Sequence, residues 1–166
     1  MKDRRRDAFS FDWGFLLQWM VVTTVGWVLG ALLIPPIGLA ASGIFISVLQ
    51  WVTLQHQIGK SGRWILAGAG GWMTGWAIAM LVVPWDSRLL AGLVLGTTVG
   101  VAQWLVLRRE VQWAGWWIIV SPLAWATGLG LLPGFILSGV MPGVMTGIVL
   151  TILLQYPQAT STSLRP

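Results

Sequence analysis

Residues 92–128 read GLVLGTTVGVAQWLVLRREVQWAGWWIIVSPLAWATG. An uncharged run ends at Leu107, three charges follow at Arg108, Arg109 and Glu110, and a second uncharged run starts at Val111. A hydrocarbon core about 30 Å thick needs roughly 20 apolar residues per helix. Inside it every backbone polar group must be bonded within the segment, which a helix achieves. The stretch therefore reads as two membrane-spanning helices joined by a charged elbow. The same design stands 53 positions earlier: residues 39–75 align with 92–128 without a gap and agree at 11 of 37 positions. The identities include Gln50/Gln103, Trp51/Trp104, Trp64/Trp117, Trp72/Trp125 and Gly75/Gly128. Apolar sequences match by chance, but three tryptophan pairs and a glutamine pair mark a repeat.

The remainder of the chain follows the same pattern. Its 166 residues are 56% hydrophobic and 9% charged, against about 25% charged in soluble domains. The charges lie in short clusters, leaving 13–59, 64–85, 89–107 and 111–164 uncharged. Six helices are expected, at approximately 14–34, 37–56, 64–83, 88–107, 114–133 and 135–156. The fold expected is an all-α, polytopic integral membrane protein, a single transmembrane domain with a basic start at 1–12 and a polar tail at 157–166. The apolar run Phe15–Ile34 is too long for a signal-peptide core of about 7–15 residues, so it counts as a retained span. Turns at Pro35-Pro36, Pro84-Trp85-Asp86 and Pro133-Gly134 alternate with polar, basic turns, because Pro stops a helix and Gly lets the chain reverse.

Repeat and turns together define a hairpin. Its ascending helix carries Trp and, eight residues on, a second Trp followed by Gly: Trp19/Trp27/Gly30, Trp64/Trp72/Gly75, Trp117/Trp125/Gly128. Its descending helix ends in Gln and an aromatic, as in Gln50-Trp51, Gln103-Trp104 and Gln155-Tyr156. Three such hairpins share one orientation, a parallel repeat about an axis along the membrane normal. With the N-terminus inside, nine basic residues fall inside and only Arg88 outside. That bias places both termini in the cytoplasm of a bacterial inner membrane. The basic residues sit at loop ends rather than on one face, which excludes nucleic acid as a partner. The KDRRRD run is placed to touch anionic lipid.

Cysteine is absent and His56 is the single histidine, so no metal or disulfide chemistry is expected. No ionisable residue falls within a predicted span, which argues against ion coupling and intramembrane hydrolysis. The expectation is a non-enzymatic protein. Gly26/Gly30, Gly71/Gly75, Gly92/Gly96/Gly100 and Gly143/Gly147, with Gly128, read as close helix contacts. They are expected to pack helices within the monomer, and the ridge Gly92/Gly96/Gly100 is the best candidate among them for a contact with a membrane-protein partner or a second copy of the chain. Trp13, Trp19, Trp51, Trp64, Trp85, Trp104, Trp113, Trp116 and Trp117 read as interfacial belts, and His56 as a headgroup-facing residue.

Trp27, Trp72 and Trp125 stand about 12 Å deeper. They read either as rings packed on the Gly three residues on, or as a pocket for a flat apolar ligand such as a quinone, carotenoid or lipid tail. Gln50, Gln103 and Gln155 read either as amides bonded between helices or as a polar ring. The functional expectation is thus an accessory or scaffold subunit, or a bundle that binds an apolar ligand. The alternative is a permease or channel for a small neutral solute, with the glutamines as its constriction.

The run from Gly96 to Trp117 resembles small bacterial polytopic membrane proteins that carry G-x-x-x-G-x-x-Q-W-x-x-L-R before a Trp-rich helix start. Gly43 to Trp64 is a weaker copy, with Gln55 and His56 in place of the arginines. No activity is assigned to that group, so the resemblance implies a membrane location and no mechanism.

Overall fold

The computed structural model describes residues 11–33, 38–58 and 62–158. The chain is all-α: α1 Trp13–Leu33, α2 Gly38–Leu54, α3 Arg63–Val82, α4 Arg88–Leu107, α5 Trp116–Ala126 and α6 Leu137–Leu153. A π-helical segment, Thr127–Leu131, extends α5. Pro35-Pro36, Lys60, Arg165 and the basic N-terminal run lie outside the described residues.

Three helices, α1, α3 and α4, are long and apolar enough to cross a membrane. The other three are apolar but shorter, so the described residues contain three full-length spans and not six. At 1.5 Å per residue, the 17 residues of α2 and of α6 rise about 26 Å, short of the hydrocarbon thickness. Prolines punctuate the last two helices. Pro122 sits inside α5 and Pro142 inside α6. Pro133 follows the extended Leu132 that ends the π-helical segment, since the residue before a proline avoids the α region. Gly134, at φ 92°, then makes the reversal into α6.

Each helix packs on its neighbours in sequence, and α6 packs on α1, which closes a ring of six antiparallel helices. Glycines set the spacing. Within each hairpin the ascending helix presents a small-residue ridge to the descending one. A Cβ at Gly26 would lie 2.6 Å from Ile46 Cα, one at Gly71 2.9 Å from Val99 Cα, and one at Gly128 2.8 Å from Ser138 O. Gly30 and Gly75 face α2 and α4 in the same way.

At two of the three seams between hairpins the ridge is on the descending helix. Gly92, Gly96 and Gly100 meet Ala126, Ser121 and Pro122 of α5. This ridge is therefore an internal seam and not an external contact. Gly139, Gly143 and Gly147 of α6 meet Trp27, Met20 and Leu16 of α1, closing the ring. The outward faces stay apolar. Leu17, Val21, Val25 and Leu29 of α1 are exposed, as are Leu66 and Met73 of α3. A helix apolar on every side belongs in a core or a bilayer.

The end of the bundle where α4 stops is stitched by the chain that follows α6. Gln112 N–H donates to Tyr156 O at 2.8 Å, and Gln158 N–H to Glu110 O at 2.9 Å. Val111 is thereby buried beside Phe15, Leu54, Leu107, Leu150 and Leu153. Arg63, Arg108 and Arg109 ring this end, while Arg88 starts α4 at the other.

Candidate ligand site and the tryptophan core

Two triangles of tryptophan fill the ring. In the first, at the basic end, Trp19, Trp64 and Trp117 stand 5.9, 6.0 and 6.4 Å apart between ring centroids. In the second, Trp27, Trp72 and Trp125 stand 6.2, 6.0 and 4.7 Å apart. The contacts are mostly edge-to-face, the arrangement that the ring quadrupole favours.

The eight-residue spacing produces both layers at once, because it is a little over two helical turns and keeps both rings on the inner face. The first triangle corrects the belt reading: Trp19, Trp64 and Trp117 are at most 1% exposed and form the core. Trp13, Trp85, Trp113 and Trp116 are exposed, whereas Trp51 and Trp104 pack partly against the core.

The glycine partners of the second triangle also differ from expectation. Trp72 lies on Gly43 of α2, and Trp27 on Gly139 of α6. Gly30, Gly75 and Gly128 face helix backbones and side chains instead.

The indole N–H groups of the first triangle organise the polar residues. Trp64 Nε1 donates to Gln50 Oε1 at 3.3 Å, Trp117 Nε1 to Gln103 Oε1 at 3.1 Å, and Trp19 Nε1 to Thr146 Oγ1 at 3.0 Å. Gln103 Nε2 donates to Gln50 Oε1 at 3.4 Å, and Gln50 Nε2 to Thr23 Oγ1 at 3.0 Å. Every bond but one crosses between hairpins, so each hairpin's tryptophan is held by the preceding hairpin's descending helix. The third acceptor is Thr146, and not Gln155, which lies half-buried in the turn after α6.

A signal for Thr146 existed in the sequence. Gly43, Gln50 and Leu54 have the same spacing as Gly96, Gln103 and Leu107, and as Gly139, Thr146 and Leu150. All three leucines are fully buried. Aligning on the glycine and leucine would have found it; aligning on Gln plus aromatic led past the helix end.

Three hydroxyl residues complete this layer, and each faces a glycine across a seam between hairpins. Ser47 faces Gly68, Ser121 faces Gly100, and Thr23 faces Gly143. The chamber they enclose with the glutamines holds about 20 Å³, the scale of a single water. It is capped on both sides by indole rings.

On the far side of the second triangle the ring opens into a cavity of about 380 Å³. This is within the range of about 300–1,000 Å³ typical of ligand pockets. Trp27 and Trp72 form its floor, and Trp76, Leu95, Leu129 and Phe135 its walls. Trp27 is oriented by its Nε1–H, which donates to Phe135 O at 2.9 Å. Trp85, Ser87 and Arg88 lie at the mouth. Trp125 packs on the other two rings but does not line the cavity.

No family model matches this chain, and no curated protein or solved structure does. What the site can do rests on its own chemistry. Indole faces give a flat or chain-like apolar group large contact area, and Arg88, the single charged lining residue among the described residues, sits where such a ligand would meet water.

Proposed function

We propose that the chain is a six-span integral membrane protein, non-enzymatic, whose ring binds an apolar ligand at the end opposite its basic loops. The observation that carries this reading is the cavity of about 380 Å³ floored by Trp27 and Trp72. Both termini lie in the cytoplasm of a bacterial inner membrane, so the cavity faces outward. Arg63, Arg108 and Arg109 at one end, with Arg88 alone at the other, support that orientation through the positive-inside bias. The shorter helices α2, α5 and α6 complete the ring and cross with it, because their outer faces are apolar at Ile44, Ile119 and Ile148.

The inward turn of the Gly92/Gly96/Gly100 ridge weakens the scaffold alternative that relied on it. Two tryptophan layers and a chamber of about 20 Å³ occupy the axis, which weighs against a solute path through the ring.

Quenching by a bromine-tailed fatty alcohol tests the reading, because four tryptophans line the cavity. With the protein in phosphatidylcholine nanodiscs, the alcohol should quench indole fluorescence saturably. Ala91→Phe, which fills the lining, should leave only the linear quenching due to probe dissolved in the bilayer. Linear quenching of equal slope in both proteins would refute the cavity as a binding site.

A further inference from the structure

Arg88 is the exception in this chain's charge distribution. Every other basic residue belongs to the opposite side in the orientation proposed above, and basic residues are depleted from the outer side of membrane proteins. A lone outward arginine has no role in setting topology, yet among the described residues it is the one charged group that lines the cavity. It is exposed and has no ion pair among the described residues. Asp86 lies two residues earlier, and its backbone oxygen accepts the Arg88 N–H at 3.2 Å, but it is outside the described lining. Ser87 lines the mouth beside Arg88, and its side chain makes no capping bond to α4. The mouth is thus cationic and hydrogen-bonding, while the floor and walls are indole and aliphatic.

We propose that the cavity takes an amphiphile with an anionic head, its oxyanion held by the Arg88 guanidinium and the Ser87 hydroxyl and its chain laid on Trp27 and Trp72. The proposal rests on the apolar-ligand reading above and adds the headgroup chemistry. A guanidinium offers two parallel N–H donors that match a carboxylate or phosphate. Trp85, 88% exposed at the rim, sets the depth, because an amphipathic indole settles at the headgroup level. The carboxylate of a free fatty acid and the phosphate of an anionic phospholipid both satisfy this chemistry.

The test compares a bromine-tailed fatty acid with the fatty alcohol of equal chain length, in phosphatidylcholine nanodiscs at a pH where the acid is ionised. Saturable quenching should show the acid binding about tenfold more tightly than the alcohol, the size of one charge-assisted contact. Arg88→Gln should bring the acid down to the level of the alcohol and leave the alcohol unchanged. Equal affinities for acid and alcohol, or an acid affinity unchanged in Arg88→Gln, would overturn the headgroup assignment while the cavity stands. Saturable quenching by neither probe would overturn the cavity reading and this proposal with it. Phosphatidylglycerol added to the disc then separates the sources. Competition with the acid supports a phospholipid occupant, and undiminished acid binding supports a free single-chain acid.

Discussion

Gln103 carries more bonds than its place in the sequence suggests. It accepts from Trp117 Nε1 and donates to Gln50 Oε1, so Gln103→Leu leaves a buried indole N–H without a partner and removes one of the two donors to Gln50 Oε1. The expected loss is about 1–3 kcal/mol, read as a lowered midpoint in denaturant titration of the micellar protein. The hydroxyl–glycine pairs make a sharper test with an internal control. A Cβ at Gly68 would overlap Ser47 Oγ and stand 3.2 Å from Gln103 Nε2, whereas Gly70 has nothing within 4 Å. Gly68→Ala should therefore cost about 1–3 kcal/mol by overpacking, and Gly70→Ala should be neutral or slightly stabilising, since Ala is the better helix former. At this scale the sequence revealed that Trp27, Trp72 and Trp125 form a set. It concealed that Trp19, Trp64 and Trp117 form another, because a tryptophan near a predicted helix end looks the same whether it faces lipid or the ring.

The seams between hairpins decide how the elements assemble. Glycines every four residues are legible as close-contact ridges, but a ridge does not say which helix it meets. Gly92/Gly96/Gly100 meets α5, and Gly139/Gly143/Gly147 meets α1. The closure of α6 onto α1 joins elements far apart in sequence, and it can be trapped covalently. A Cβ at Gly143 would lie 3.3 Å from Thr23 Cβ but also 2.9 Å from Met20 Cα, so the two helices must part slightly to admit it, which moves the pair toward the separation of about 3.5–4.5 Å usual across a disulfide. Because the chain has no cysteine, Thr23→Cys with Gly143→Cys should lose both maleimide-reactive thiols on mild oxidation. A pair with Val21→Cys, on the exposed face of α1, should keep them. Reactive thiols retained in the Thr23/Gly143 pair would mean an open bundle.

For the whole molecule, the question is how many helices cross the bilayer. Length and apolarity qualify α1, α3 and α4, while the closed ring holds six helices side by side. From an N-terminus inside, crossings of α1, α2 and α3 put Asp86 outside and the crossing of α4 puts Gln112 inside, whereas without a crossing of α2 the two would change places; both are exposed. In intact cells a membrane-impermeant maleimide should label Asp86→Cys, and should reach Gln112→Cys only after permeabilisation. Labelling of both from outside would rule out the orientation proposed here. The number of helices, their class and the turns at Pro84-Trp85-Asp86 and Pro133-Gly134 were readable from charge spacing and proline. The shortness of α2, α5 and α6 was not, because apolar residues continue past the helix ends into Leu132, Phe135 and Leu154.

Sequence by itself determined the helical class and the apolar runs that make α1, α3 and α4 long and apolar enough to cross a membrane, since a charge can be kept out of an apolar run only by composition. It also holds the gapless match of 39–75 to 92–128, since such a match is a property of the string. The tertiary structure alone decided which repeat positions meet: Thr146 with Trp19, Ser47 with Gly68, and Trp27 with Trp72 beneath the cavity. Those pairings depend on how close glycine lets neighbouring backbones come and on which way the ring closes. Both are set by contacts between helices, which no single helix records.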